Sequence, residues 1–160
     1  MGSGQCSRML RRLQSESLAE CLNPKAQSSR LYRLTELGLW CRHRLMQEKG
    51  IKLHAYPQEH NTVLDWDVLG WVSFRHRAAV IRALTRPMQA VAIRRRARQQ
   101  NTQLRMSANN VREVLRVLCQ RDIAARVTMK DSIYPHFELT DLGKQLQAHM
   151  WQVEGLSAKC

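Results

Sequence analysis

The chain has 160 residues, 44% of them apolar and 24% charged, which suits one ordinary domain or two small ones and excludes a disordered or fibrous polymer. Its formal net charge is +13, and arginine supplies 20 of its 26 cations. Such a charge attracts polyanions over long range, and the guanidinium fork grips phosphate oxygens or guanine edges in pairs, as lysine cannot.

In chain order, the first elements are read through an internal repeat. Sliding the chain against itself by 105 residues lays Leu10, Arg11 and Leu13 on Leu115, Arg116 and Leu118, and Ala19 and Lys25 on Ala124 and Lys130. Leu34-Thr35-Glu36-Leu37-Gly38 falls on Leu139-Thr140-Asp141-Leu142-Gly143 without a gap. Residues 3–15 therefore read as a helix, 18–34 as a hairpin and 36–49 as a closing helix. The stripe Met9, Leu10 and Leu13 on the first helix would cost about 1.5–3 kcal/mol for each large side chain left in water. No upstream helices cover it, so the expectation is either a piece of a longer protein or a second surface over that face. Residues 50–62, with Pro57 among polar neighbours, read as a linker.

The second copy reads in full. Val68, Leu69, Val72, Ala79, Val80, Ala83 and Leu84 have helical spacing, predicting one helix over 68–84. Thr85 then suits an N-cap and Pro87 a first turn, predicting a second helix over 88–99 that buries Val91, Ile93 and Ala97. After a polar turn at 100–105, Ser107 caps a third helix over 108–120, with Val111, Val114, Leu115 and Leu118 on one stripe. Residues 123–129 and 134–139 read as strands around a polar tip, and Thr140 caps a last helix over 141–152.

This order resembles the winged helix-turn-helix domains of bacterial and archaeal transcriptional regulators, broadly of the MarR or PadR kind. The residues that carry the resemblance are those from Ser107 to Ala124 and the run Phe137-Glu138-Leu139-Thr140-Asp141-Leu142-Gly143. It implies a mainly α fold with small β-hairpins (α+β), arranged as a tandem winged helix-turn-helix whose first module is incomplete. The partial module spans 1–49, the linker 50–62, the complete domain 63–153 and a tail 154–160.

The resemblance also places the third helix in the major groove of double-stranded DNA. Removing the buried stripe leaves Ala108, Asn109, Asn110, Arg112, Glu113 and Arg116 outward. Asparagine pairs with adenine, arginine with guanine, and glutamate accepts from cytosine, a mixture suited to base readout. The matching face of the first copy offers Gln5, Ser7, Arg8, Arg11 and Arg12. Arg94, Arg95, Arg96 and Arg98 on the second helix fit phosphate contacts that position without reading sequence. The hairpin tips, Lys130 with Asp131 and Ser132, and Lys25 with Gln27, Ser28, Ser29 and Arg30, reach toward the backbone or minor groove. Both copies are basic, with a net +5 over residues 1–47 and +6 over residues 85–143.

Other classes are disfavoured. No apolar run reaches the ~18 residues of a membrane span, and Met1-Gly2-Ser3-Gly4 contains no apolar leader core. Cys6, Cys21, Cys41, Cys119 and Cys160 form no CxxC pair, and dispersed thiols in odd number suit a reducing cytoplasm. His43, His54, His60, His76, His136 and His149 are too scattered for a zinc module, so neither metal nor cofactor is expected. No GxSxG, P-loop or HExxH motif is present, so an enzyme is not expected. Tyr32 and Phe137 read as core of the hairpins. Trp40, Trp66, Trp71 and Trp151 read as packing or dimerisation residues. The closing helices carry surplus apolar residues, Leu39, Trp40, Leu45 and Met46 in one and Leu146, Met150, Trp151 and Val153 in the other, which points to a homodimer. The leading expectation is a sequence-specific transcriptional regulator associated with the nucleoid. A winged-helix protein-interaction module and an architectural or replication-associated DNA binder stand as alternatives.

Overall fold

The computed structural model describes residues 3–27, 29–51, 65–130 and 132–153. Most of the linker, the tail, Ser28 and Asp131 at the hairpin tips, His54, His60, Cys160 and the side chain of Val153 lie outside the described residues. The element order is α1 (Ser3–Ser15), β1 (Ala19–Cys21), β2 (Tyr32–Leu34), α2 (Glu36–Glu48), α3 (Trp66–Val72), α4 (Arg75–Ala83), β3 (Met88–Gln89), α5 (Ala90–Gln100), α6 (Ala108–Gln120), β4 (Ala124–Val127), β5 (His136–Leu139) and α7 (Asp141–Val153). The fold is thus α+β, with helices and two small antiparallel sheets among the described residues. The chain forms two compact units, Met1–Trp71 and Val72–Cys160.

In the second unit, α4, α5 and α6 pack on one another and α7 packs on α4. Val80, Ile81, Ile93, Ala97, Val111, Leu115, Leu118, Ile123 and Leu146 are sealed in the core. Gln147 is buried on α7, where its Nε2 donates to the carbonyls of Ile81 and Leu84 and satisfies the C-terminal end of α4. The sheet order is β3-β5-β4, with Met88 opposite Phe137 and Ala124 opposite Leu139.

In the first unit, β1 pairs with β2 in the same register shifted by 105, Ala19 opposite Leu34. Asn23 is buried where the hairpin loop turns. Its Oδ1 accepts from Leu31 N at 2.7 Å and its Nδ2 donates to Ser29 O at 3.2 Å. Gly70 of α3 lies against this asparagine so closely that a side chain there would run into it.

The repeat is reproduced bond for bond. α1 and α6 both end in a residue with left-handed backbone, Ser17 at φ 56° and Asp122 at φ 55°. The next amide returns to the last helical turn in each, Leu18 N to Leu13 O at 2.8 Å and Ile123 N to Leu118 O at 2.9 Å. This is the Schellman closure, completed in both by an apolar pair across it. Thr35 Oγ1 donates to Ser17 O at 2.6 Å and Thr140 Oγ1 to Asp122 O at 2.6 Å, while each hydroxyl also accepts the amide of Gly38 or Gly143. A Cβ on either glycine would collide with the carbonyl oxygen of Leu18 or Ile123. The shared Leu-Thr-acid-Leu-Gly run therefore has a mechanical reason: threonine joins helix start to preceding turn, and glycine lets the two backbones touch.

Three sequence expectations are corrected. The helix over 68–84 is two helices, broken at Ser73 and Phe74, with Phe74 in extended backbone at φ −75° and ψ 120°. Apolar spacing is helical on either side, but 73–77 contains only Phe74, which is exposed, so the pattern carried no information about the break. Thr85 and Pro87 do not open the next helix. Met88 and Gln89 form a short strand on β5, and α5 starts at Ala90 behind Gln89. Val91 is 64% exposed rather than buried, because it lies on the opposite face of α5 from Ile93 and Ala97. The third helix and its Ser107 cap stand as expected, and the two hairpin strands are shorter, at β4 and β5.

Candidate nucleic-acid interface

α6 is built to hold a fixed face outward. Ser107 Oγ accepts from Asn110 N at 3.1 Å, and Ser107 N donates to Asn110 Oδ1 at 3.0 Å, a reciprocal capping box. At the other end the Schellman closure fixes the helix to β4. Val111, Leu115 and Leu118 anchor the inner side. Asn109, Asn110, Arg112, Glu113 and Arg116 are exposed on the outer side, as read from the sequence.

These five are not equivalent. Asn110 is taken up in the cap. Arg112 Nη1 donates to Asn109 Oδ1 at 3.3 Å, which orients both side chains along the helix. Arg116 grips Glu113 with two bonds, Nη2 to Oε1 at 2.6 Å and Nε to Oε2 at 3.0 Å. The hydrogen bond from Arg116 holds the Glu113 carboxyl below the ordinary carboxylate range, and the same bond raises the arginine. Both groups are solvent-exposed, so the pair sets orientation more than stability.

α5 packs on α6 and carries the arginine run. Arg95 and Arg98 are exposed, and Arg94 and Arg96 are half-buried. None of the four has an ion-pair partner among the described residues. Ile93 and Ala97 face inward, so Arg95 and Arg98 project from the outer side of the helix and Arg94 and Arg96 flank it.

At the hairpin tip, Lys130 is exposed, and Ser132 Oγ is engaged by Gln89 Nε2 at 3.3 Å and by the backbone of Tyr134. The sequence reading passed over Arg126, exposed on β4, and Arg105, exposed just ahead of α6. Strand alternation gave no signal for Arg126, which stands two residues from the buried Ala124 and so on the same nominal face of β4. Tyr32 and Phe137 are half-buried at matching strand positions.

In the first unit, Arg8, Arg11 and Arg12 are exposed on α1, with Arg11 Nε donating to Ser7 O at 3.4 Å. Lys25 is exposed on the hairpin loop, and Arg30 Nε donates to Ala26 O at 2.9 Å. Trp40 is 60% exposed on α2, with the Arg44 guanidinium 5.8 Å from its ring centre. Among the described residues no group of three or more His, Cys, Asp or Glu is placed to hold a metal ion. No helix among them is long and apolar enough to cross a membrane.

No family model matches the sequence, and no curated protein matches it. Among solved structures, the chain has a likeness to GAS PerR in a form described as PerR-Zn-Zn, at 13% identity and TM-score 0.33 over 62% of this chain and 51% of that one. A likeness to TubR of type III plasmid segregation has 10% identity and TM-score 0.44 over 64% of this chain and 99% of that one. PerR from Streptococcus pyogenes, described for peroxide sensing and gene regulation, gives 14% identity and TM-score 0.33 over 62% of this chain and 54% of that one. The chain thus spans about half the length of the PerR chains it matches.

Proposed function

We propose that this chain is a sequence-specific, double-stranded DNA-binding transcriptional regulator. Residues 63–153 act as a complete winged helix-turn-helix module and residues 1–49 as the back half of another, of the MarR or PadR kind in broad outline. α6 enters the major groove, and α5 with the hairpin tip rests on the phosphate backbone. The protein binds rather than catalyses, acts in the cytoplasm on the nucleoid, and works as a homodimer through α2, the region 65–84, or both. The observation that carries this reading is the pairing of two surfaces: a capped helix presenting Asn109, Arg112, Glu113 and Arg116, beside a helix with four arginines that meet no carboxylate among the described residues.

The reading makes the two surfaces separable. On a duplex selected from a random pool, Arg112→Ala or Asn109→Ala costs about 1–3 kcal/mol and relaxes base preference at one position. Arg95→Ala weakens all duplexes alike and lowers the salt slope by about one. Wild-type affinity falls by orders of magnitude between about 50 and 200 mM salt. Titrations of the three variants against selected and scrambled duplexes check all of this. Identical behaviour of the two classes removes the groove assignment, and an affinity that is flat in salt removes DNA as the partner.

A further inference from the structure

The two copies share their scaffold but not what lies against it. In the second, one helix–strand–helix element, α4–β3–α5, does three things: its helices cover α6, α4 also covers α7, and β3 extends the sheet at β5. Leu115, Leu118, Leu146 and Met150 are buried there. In the first copy the matching positions are less covered: Leu10, Leu13 and Cys41 are half-buried, and Leu45, in the place of Met150, is 56% exposed. Met9 beside them is 52% exposed.

The strand edge tells the same story independently. Leu22 N bonds Leu31 O and Thr35 N bonds Leu18 O, so residues 31, 33 and 35 point their backbone groups at β1. Strand alternation then turns the N–H and C=O of Tyr32 to the outer edge. Its counterpart Phe137 is where Met88 pairs, but no described strand pairs with that edge of β2. Among the described residues a helix face and a second helix face are only partly covered and a strand edge is unpaired, and these are the three surfaces that a single element closes in the other copy.

We propose that the first copy is a docking surface for a helix–strand–helix element of another polypeptide, seated as α4–β3–α5 is seated on α6, β5 and α7. The repeat specifies the chemistry of this partner. Its helices present small and branched apolar residues, as Ala78, Val80, Ile81, Ala83, Ile93 and Ala97 do, and a short strand between them binds Tyr32 main chain to main chain. A second copy of this chain is a poor source, because its own element already has Val80, Ile81, Ala83 and Ile93 at zero exposure and would have to leave its module. The proposal rests on the repeat and not on DNA binding.

The test is a chain in which an added copy of residues 72–107 is joined directly ahead of Ser3, which sets the new element in the register that the original has to α6. Residue-resolved hydrogen exchange reads the Tyr32 amide, with Phe137 as the reference for an intact second unit, and a hydrophobic dye reads the open face. The expected result is exchange at Tyr32 slowed by more than about tenfold with reduced dye binding, and Leu13→Asp in the extended chain reverses both. Unchanged exchange and dye binding overturn the proposal. So does a natural chain whose Tyr32 is already protected and loses that protection on dilution, since the occupant is then a second copy.

Discussion

Replacing Gly143 with alanine sets two physical effects against each other. Alanine in place of a helical glycine is favoured by about 1 kcal/mol through backbone entropy alone. Nothing about the backbone dihedral of Gly143 requires glycine, so a propensity argument forecasts a more stable protein. The geometry forecasts the opposite. The new Cβ would fall on the carbonyl oxygen of Ile123, with the Ile123 carbon at 3.2 Å and Leu139 Cδ2 at 3.1 Å closing the remaining space. The obstacle is backbone, so α7 must back away from β4 by on the order of 1 Å to regain ordinary contact distances. That movement breaks or stretches Thr140 N to Ile123 O at 3.1 Å and Thr140 Oγ1 to Asp122 O at 2.6 Å. Each bond contributes about 1 kcal/mol, and overpacking strain adds about 1–3 kcal/mol. After subtracting the propensity gain, the net loss is about 2–4 kcal/mol. In urea, with a slope of about 1–2 kcal/mol/M for a unit this small, the midpoint falls by roughly 1–4 M. Gly4→Ala is the control, because a Cβ there meets nothing within 4 Å. Equilibrium urea unfolding followed by far-UV circular dichroism measures both. A Gly143→Ala midpoint equal to or above wild type would show that the glycine is not needed for backbone contact.

Two further expectations concern the surfaces. Under the proposed function, Glu113→Gln releases Arg116, so affinity for non-specific duplex rises a few-fold and the salt slope steepens by about one. The Glu113 carboxyl is depressed in the folded chain, so its ion pair is present above the ordinary carboxylate range and is lost only as pH falls through the lowered value. Wild type and variant therefore differ at pH 7 and converge only in acid, and binding curves that coincide at neutral pH refute the clamp. Under the proposed homodimer, Trp40 and Leu37, exposed three residues apart on α2, lie in the contact, so Trp40→Glu halves the mass in light scattering; an unchanged mass removes α2 as the contact.

What the sequence disclosed follows from how local each cause is. Ser107 caps α6 using an asparagine three residues on, and Thr140 caps α7 using the amide of Gly143. Such bonds span a few residues, so their residue types stand together in the chain and can be read there. The offset of 105 was legible for the same reason, because each side chain in the Thr-acid-Leu-Gly run has a short-range task. β3 was not legible. Two residues cannot show alternation, and Met88 becomes strand because it lies opposite Phe137, forty-nine positions away. The break at Ser73 and Phe74 escaped because exposed residues carry no phase. On the outer face of α6, spacing alone named the exposed residues but not their division of labour. Asn110 closes the cap, and Glu113 holds Arg116 through the i, i+3 neighbourhood of a helix.

The same comparison separates scaffold from surface. Every bond that ties α1 to β1 and β2 to α2 has its counterpart in the second unit, so those residues are constrained by folding. The outward residues are not bound in this way, and there the copies diverge. Arg8 stands where α6 has Glu113, and Arg11 where it has Arg116. α1 therefore lacks the acid that would clamp its second arginine, and Arg8, Arg11 and Arg12 form a face with cations alone. A face of one charge sign attracts any phosphate backbone, whereas mixed donors and acceptors held in fixed orientation discriminate between base edges. Under the proposed function, discrimination then belongs to α6, and α1 contributes affinity that salt removes.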